Sequence, residues 1–310
     1  MLPPPGRLTE AHSDLPYASP RALDAALTAR FKKLSAARPH SISQIRRQFA
    51  YDRALARCFT GPYGDRWVLK GGISLLALLR DARHSADLDL AADAKDTAQA
   101  TQLLDESLQQ DLGDHFSFQM GHGLRLIEGI EGVRVPVVAF LGPRPYERFH
   151  LDVVVGATVT GSLEEADPLV PVGIPGLCQP KYQLYPLCDT LADKVCAIME
   201  RHGDRPSTRF RDLADIVLIA RSRSIEAAVL SAALTSERLL RKSGRHTSLD
   251  VPDQIMWRAG YAKVSGNAPG LDGYRNLDAA LSLARALVNP VLDGSMRTGR
   301  WNPTALHWEP

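Results

Sequence analysis

The chain contains no apolar run near the roughly 20 residues that a membrane-spanning helix needs. Its first residues, Met1-Leu2-Pro3-Pro4-Pro5-Gly6-Arg7, lack the apolar stretch of a signal peptide, so a cytoplasmic protein without membrane association is expected. Cysteine is scarce: Cys58, Cys178, Cys188 and Cys196 form no C-x-x-C pair and lie near no set of histidine ligands. A zinc site or disulfide framework is thereby excluded, and buried, inert thiols are expected. The Gly-Gly at positions 71 and 72 is followed by no Gly-Lys-Ser/Thr, which rules out a P-loop, and lacks the third glycine of a dinucleotide fingerprint.

Net charge is also small, with 37 Lys and Arg against 35 Asp and Glu in 310 residues. Balanced charge with 45% apolar residues excludes disorder of the whole chain and supplies a packed core. The charges are unevenly spread. Arg21 to Arg66 holds ten bases against Asp24, Asp52 and Asp65, whereas Asp81 to His115 holds nine acids against Arg83 and Lys95. From Arg201 to Arg245 bases again prevail. An acidic centre between basic flanks suits a metal site that also holds a polyanion. The plainer account is a set of solvated helix faces.

Length suggests two domains. Residues 1–20, rich in Pro and polar groups, read as a flexible arm, residues 21–160 as a core of strands and helices, and 161–310 as a mainly helical lobe. Helix is expected from Ala22, restarting at Ser41 as N-cap, with Ile45, Phe49 and Leu55 on its apolar side and arginines elsewhere. Trp67 to Leu69 and Ser85 to Leu90 read as strands on either side of a buried helix, Ile73 to Arg80. Thr97 to Leu112 is an amphipathic helix. Strands follow at Phe116 to Met120, Leu124 to Ile127, Val133 to Leu141 and Phe149 to Val155. Prolines at 168, 171, 175 and 180 mark a long connection, and helices are expected over Cys188 to Arg201, Arg209 to Ser222, Ile225 to Leu234 and Leu277 to Leu287. Strands first and helices after imply an α/β or α+β fold.

The chemistry gathers around Asp87-Leu88-Asp89. Strand positions two apart face the same way, so both carboxylates share a face while Leu88 and Leu90 enter the core. Close carboxylates repel each other, and a divalent cation would relieve the repulsion. Asp152 lies inside the β-branched run Leu151-Asp152-Val153-Val154-Val155, where an unpaired acid would cost several kcal/mol. Either a metal shared with Asp87 and Asp89 or an ion pair with an arginine such as Arg148 would compensate it. Gly71 and Gly72, between a strand and a helix, permit a close backbone approach to phosphate or simply make a tight turn.

Leu69-Lys70-Gly71-Gly72, Arg83-x-Ser85-x-Asp87-Leu88-Asp89-Leu90, Leu151-Asp152-Val153-Val154-Val155, Asp193-Lys194 and Arg209-Phe210-Arg211-Asp212-Leu213-Ala214-Asp215 together resemble the AbiEii/AbiGii-type (MenT-like) nucleotidyltransferase toxins. The resemblance runs in order from about Ala50 to Ala220. It implies a DNA polymerase β-like core with a mixed sheet and a helical C-terminal lobe, and a toxin of a toxin–antitoxin or phage-defence system with a cognate antitoxin encoded nearby. It further implies transfer of NMP from an NTP to RNA, the 3′ end of tRNA, with Mg2+ or Mn2+. Many such enzymes carry Gly-Ser where this chain has Gly71-Gly72, with Ser74 two residues on.

On that basis Asp87, Asp89 and Asp152 are the expected metal ligands, and with Lys194 and Asp212 the expected catalytic set. Asp212 is chosen over Asp215. Lys70, Gly71, Gly72, Ser74, Ser85 and Lys194 are the expected nucleotide contacts. Lys194 would neutralise the triphosphate, and Asp212 would orient Lys194 or touch the nucleotide; the two would otherwise be a structural salt bridge between helices. Arg46, Arg47, Arg209 and Arg211 are expected to line an RNA backbone groove. The alternatives are an idle RNA- or protein-binding module of the same fold, transfer to a protein or small molecule, and a glycosyltransferase using Asp87-Leu88-Asp89.

Overall fold

The computed structural model describes residues 15–37, 40–79, 85, 87–126, 131–202, 205–266, 268 and 270–310. Most of the expected arm at 1–20, with Arg80, Arg83 and Ile127, lies outside the described residues. Helix α1 (Pro20–Ala37) starts on a proline whose fixed φ suits a first turn, and buries Leu23, Leu27 and Phe31 at four-residue spacing. Helix α2 (Ile42–Thr60) opens with a capping box in which Ser41 and Gln44 satisfy each other's backbone N–H groups. Ile45, Phe49 and Leu55 are buried as expected. Arg53 and Arg57, expected among the outward arginines, are instead fully buried, because Asp114 meets both.

Strand β1 (Trp67–Lys70), helix α3 (Gly71–Leu78), strand β2 (Leu88–Ala92) and helix α4 (Thr97–Leu108) come next. Strands β3 (Phe116–Met120), β4 (Leu124–Arg125), β5 (Gly132–Leu141) and β6 (Arg144–Val155) follow. The expected long connection contributes two more strands, β7 (Glu164–Ala166) and β8 (Tyr182–Leu184). They close an eight-stranded mixed sheet of order β3-β5-β6-β2-β1-β8-β7, with β4 on β5. The sheet therefore takes in residues up to Leu184, beyond the boundary expected at 160. β2 runs parallel to β6 and β1 to β8; the other pairs are antiparallel.

The second half is helical, with α5 (Leu187–Met199), α6 (Phe210–Ser222), α7 (Ala227–Leu240), α8 (Gln254–Ser265) and α9 (Leu277–Leu292). Short pairs β9 (Arg201–His202) with β10 (Arg205–Pro206), and β11 (Ile225–Glu226) with β12 (Arg300–Asn302) and β13 (His307–Glu309), complete it. Helix α8 and the closing hairpin lie beyond what the sequence pattern predicts. Buried apolar residues form two clusters: one under the sheet with α1, α2 and α4, the other among α5 to α9. Leu75 of α3, with Leu79 just beyond it, joins the second cluster, so the helix after β1 anchors the sheet to the helical part.

Strand alternation decides which side chains meet on each face of the sheet. Along β5 the odd residues Val133, Val135, Val137 and Ala139 are buried in the sheet's core, and Arg134 alternates with them. Leu151 and Val153 of β6, with Leu88 and Leu90 of β2, face the same core. Asp152 and Asp89 face the other way.

Candidate active site

Four charged residues stand side by side across four strands. Lys70 of β1 is opposite Asp89 of β2, Asp89 is opposite Asp152 of β6, and Asp152 is opposite Arg134 of β5. Directly paired residues share a sheet face and lie within side-chain reach. The result is a transverse row with charges plus, minus, minus, plus. Asp87, two residues before Asp89, lies beside it.

The two acids of the row live differently. Asp152 accepts two hydrogen bonds from one guanidinium, from Nε of Arg134 at 2.8 Å and from its Nη2 at 2.6 Å. Such a paired fork is the strongest common geometry between arginine and carboxylate. Asp152 is thus paired with an arginine, but with Arg134 on the adjacent strand rather than Arg148, which lies opposite Val138. Asp89 has neither an ion pair nor a side-chain hydrogen bond among the described residues. Burial, then the charges of Asp152 and Asp87, push its carboxyl up to about 7 against the pull of Lys194 and Lys70. Asp87 is about one-third exposed, with Arg134 Nη2 at 3.8 Å and Nδ1 of His150 at 4.0 Å.

Gly71 leaves room for Asp89. Its φ is +68°, and a Cβ there would fall 2.0 Å from Oδ2 of Asp89. The glycine is required because the Asp89 carboxylate packs against this backbone. Gly72 is the second residue of α3. Lys70 is nearly buried, its Nζ 4.1 Å from the ring centroid of Tyr185. Ser74 is fully buried, and its hydroxyl has no hydrogen-bond partner among the described residues. The Ser85 hydroxyl donates to the Asp87 carbonyl, bracing the turn into β2.

From the helical part comes Lys194 on α5. Its Nζ donates to Oδ1 of Asp212 and Oδ2 of Asp215, each at 2.8 Å. Positions three apart on α6 share a face, so Asp212 and Asp215 are not alternatives: both hold the lysine. Next to Lys194, Asp193 accepts from Arg241 at 2.5 Å, and Arg241 also meets Glu200 and Glu237 at 2.5 and 2.6 Å. Sequence reasoning misses both Arg134 and Arg241. The available signal for Arg134 is a single arginine in an alternating apolar strand.

The four arginines expected to bind RNA divide into two pairs. Arg46 lies over the Tyr146 ring at 3.7 Å and pairs with Asp24, and Arg47 pairs with Glu147. Both are engaged in holding α2 to α1 and β6. Arg209 and Arg211 sit at the start of α6, beside Asp212.

Among the described residues, no group of three His, Cys, Asp or Glu side chains is arranged to hold a metal ion. The expected set of Asp87, Asp89 and Asp152 is therefore not assembled as a three-carboxylate cage, because Arg134 takes the third member. Asp87 and Asp89 do fit a divalent cation: they are hard oxygen donors whose mutual repulsion a cation relieves. A cavity of about 550 Å³ in the helical part, with Arg238, Arg245, His246 and Arg297 in its wall, contains none of these residues. The cysteines are free, and burial pushes Cys58, Cys188 and Cys196 up to about 12, as inert thiols require.

A family model described as nucleotidyl transferase AbiEii toxin, Type IV toxin–antitoxin system, matches residues 53–282. No curated protein matches the chain. Among solved structures, one from Helicobacter pylori bearing the name nucleotidyltransferase shares 15% identity, covering 83% of this chain and 99% of its own, with a TM-score of 0.45. The protein JHP933 from Helicobacter pylori shares 16% identity over 73% of this chain and 95% of its own, with a TM-score of 0.37. Both likenesses are loose.

Proposed function

The chain belongs to the AbiEii family of nucleotidyl transferase toxins of Type IV toxin–antitoxin systems, and from that premise we propose that it transfers NMP from an NTP to the 3′ end of tRNA and so blocks translation. The observation that carries this reading is the charged row Lys70–Asp89–Asp152–Arg134 with Asp87 beside it. A cluster holding one carboxylate without a partner, flanked by cations, suits a ligand that brings both a metal ion and negative charge.

A divalent cation held by Asp87 and Asp89 would neutralise charge on the triphosphate and polarise its phosphorus. The terminal hydroxyl oxygen of the RNA forms a bond to the α-phosphorus while the bond from that phosphorus to the bridging oxygen breaks. Pyrophosphate leaves, and the hydroxyl proton passes to solvent. Transfer of this kind depends on positioning and fixed charge more than on covalent chemistry. Lys70 supplies positive charge at the start of α3, and Lys194, clamped by Asp212 and Asp215, supplies it from the facing helical part. Both act on Asp89 through space. No described helix is long and apolar enough to cross a membrane, and a reaction between tRNA and an NTP is a cytoplasmic one. An antitoxin is the partner implied by the family.

The test uses purified protein, total RNA and each radiolabelled NTP in turn, with Mg2+ or EDTA. Label enters RNA with at least one NTP, and Asp87→Ala, Asp89→Asn and Lys194→Ala lose both transfer and growth inhibition. Full transfer by Asp89→Asn would end the proposal.

A further inference from the structure

We propose that Arg134 is a built-in cation standing in for a second metal ion, so that this site takes a single divalent cation on Asp87 and Asp89 and leaves Asp152 to the arginine. The inference rests on the nucleotidyl-transfer reading. Three features of the geometry support it. First, the pairing is set by the sheet: Arg134 and Asp152 are direct partners in the β5–β6 register, so the contact belongs to the backbone arrangement and not to a wandering side chain. Second, both oxygens of Asp152 are engaged, at 2.8 and 2.6 Å, whereas the same guanidinium only approaches Asp87, at 3.8 Å. A carboxylate with both oxygens held in a fork has fewer lone pairs left to offer a metal ion.

Third, the arginine side chain is 41% exposed. The pair compensates the buried Asp152 carboxylate, and the open side of the guanidinium gives the arrangement a chemical use as well. Nε and Nη2 of Arg134 face Asp152, while Nη1 donates to no described residue. That end of the fork is free to meet an anionic oxygen beside the acids. A guanidinium stays charged at any physiological pH and cannot be removed by a chelator. Arg134 is then a positioning residue for Asp152 that also offers fixed positive charge at the far end of the row from Lys70.

The experiment counts ions. Mn2+ is titrated into full-length, nucleotide-free protein and the free ion is followed by electron paramagnetic resonance. The wild-type chain is expected to bind one Mn2+, and Asp152→Asn still to bind one. Arg134→Met, which keeps the length and loses the charge, should bind a second Mn2+ or bind the first at least tenfold more tightly. Arg134→Lys should fall between. Two ions on the wild-type chain, or loss of the ion in Asp152→Asn, overturns the proposal, and the latter result needs no Arg134 variant to fold. If labelled NTP is not transferred to RNA but the ion count is as expected, the functional reading fails and the site architecture stands. Transfer accompanied by two ions on the wild-type chain has the opposite meaning.

Discussion

Two groups of charged side chains, one around Asp114 and one around Asp89, are solved in opposite ways. Between α2 and the start of β3, Asp114 accepts from Arg53 and Arg57 and from the Phe116 N–H, with distances of 2.8 to 3.2 Å. Arg57 also donates to the Phe116 carbonyl and Arg53 to that of Cys178. Burial alone would raise the Asp114 carboxyl, but hydrogen bonding and charge from Arg57, with Arg53, hold it below the usual range. Across the middle of the sheet, Asp89 has cations nearby yet none in contact, and its carboxyl is pushed up to about 7. A cluster closed on itself is structural. One left open costs stability, and that cost makes sense when a ligand completes it.

The comparison breaks if the two acids respond alike. Asp114→Ala leaves two arginines buried without their acid and should cost about 3–5 kcal/mol in denaturant unfolding. Asp89→Asn should lower transfer by roughly 10²–10³-fold and, in EDTA at pH 8, stabilise the chain by about 1–2 kcal/mol. A destabilised Asp89→Asn protein would remove the distinction. The pH dependence has opposite signs at the two places. Asp114, lowered on folding, contributes stability that is complete above the ordinary carboxylate pKa and is lost as pH falls through its folded value. Asp89, raised on folding, contributes stability that is complete below the ordinary carboxylate pKa and is lost as pH rises through about 7. Stability curves of wild-type and Asp89→Asn in EDTA should therefore diverge between about pH 4 and 7.

A smaller effect sharpens the reading of Gly71. With φ at +68° and Asp89 Oδ2 only 2.0 Å from where the new methyl carbon would sit, Gly71→Ala has to displace the carboxylate. The left-handed backbone costs about 1–2 kcal/mol, and the shifted Asp89 should lower transfer by up to about 10²-fold. Transfer unaffected by Gly71→Ala would mean that Asp89 is not held where it acts.

How much of the fold and site is legible in the sequence depends on the range of the interaction. Alternation puts Asp87, Asp89 and Asp152 on strands and turns Leu88, Leu90, Leu151 and Val153 inward, because a two-residue period is local. The pairing of Asp152 is not legible. Arg148 is close in sequence, but the partner is Arg134, and only the β5–β6 register, with its shift between Ala139 and Phe140, brings the two together. The same applies to Arg53 and Arg57, which read as solvent-facing until Asp114, more than 50 residues away, is seen to neutralise them. Asp212 and Asp215 are the reverse case: three-residue helical spacing already puts both on one face, so joint contact with Lys194 is readable from the sequence. The burial of Ser74 is not legible either, because composition does not say which side of α3 is packed.

The weakest expected effects concern RNA. Arg46 and Arg47 carry packing duties with Tyr146, Asp24 and Glu147, so replacing them by alanine should lower stability and leave the salt dependence of RNA binding unchanged. Arg209 and Arg211 sit at the start of α6, beside the Lys194 clamp, and on the proposed function they meet RNA phosphates. Each one that meets a backbone phosphate releases about one counterion on binding. Replacing either by alanine should reduce the slope of log affinity against log salt by about 1. If the slope instead falls for the Arg46 and Arg47 variants and not for these two, the RNA runs along α1 and α2, and the basic charge near the site serves the triphosphate alone.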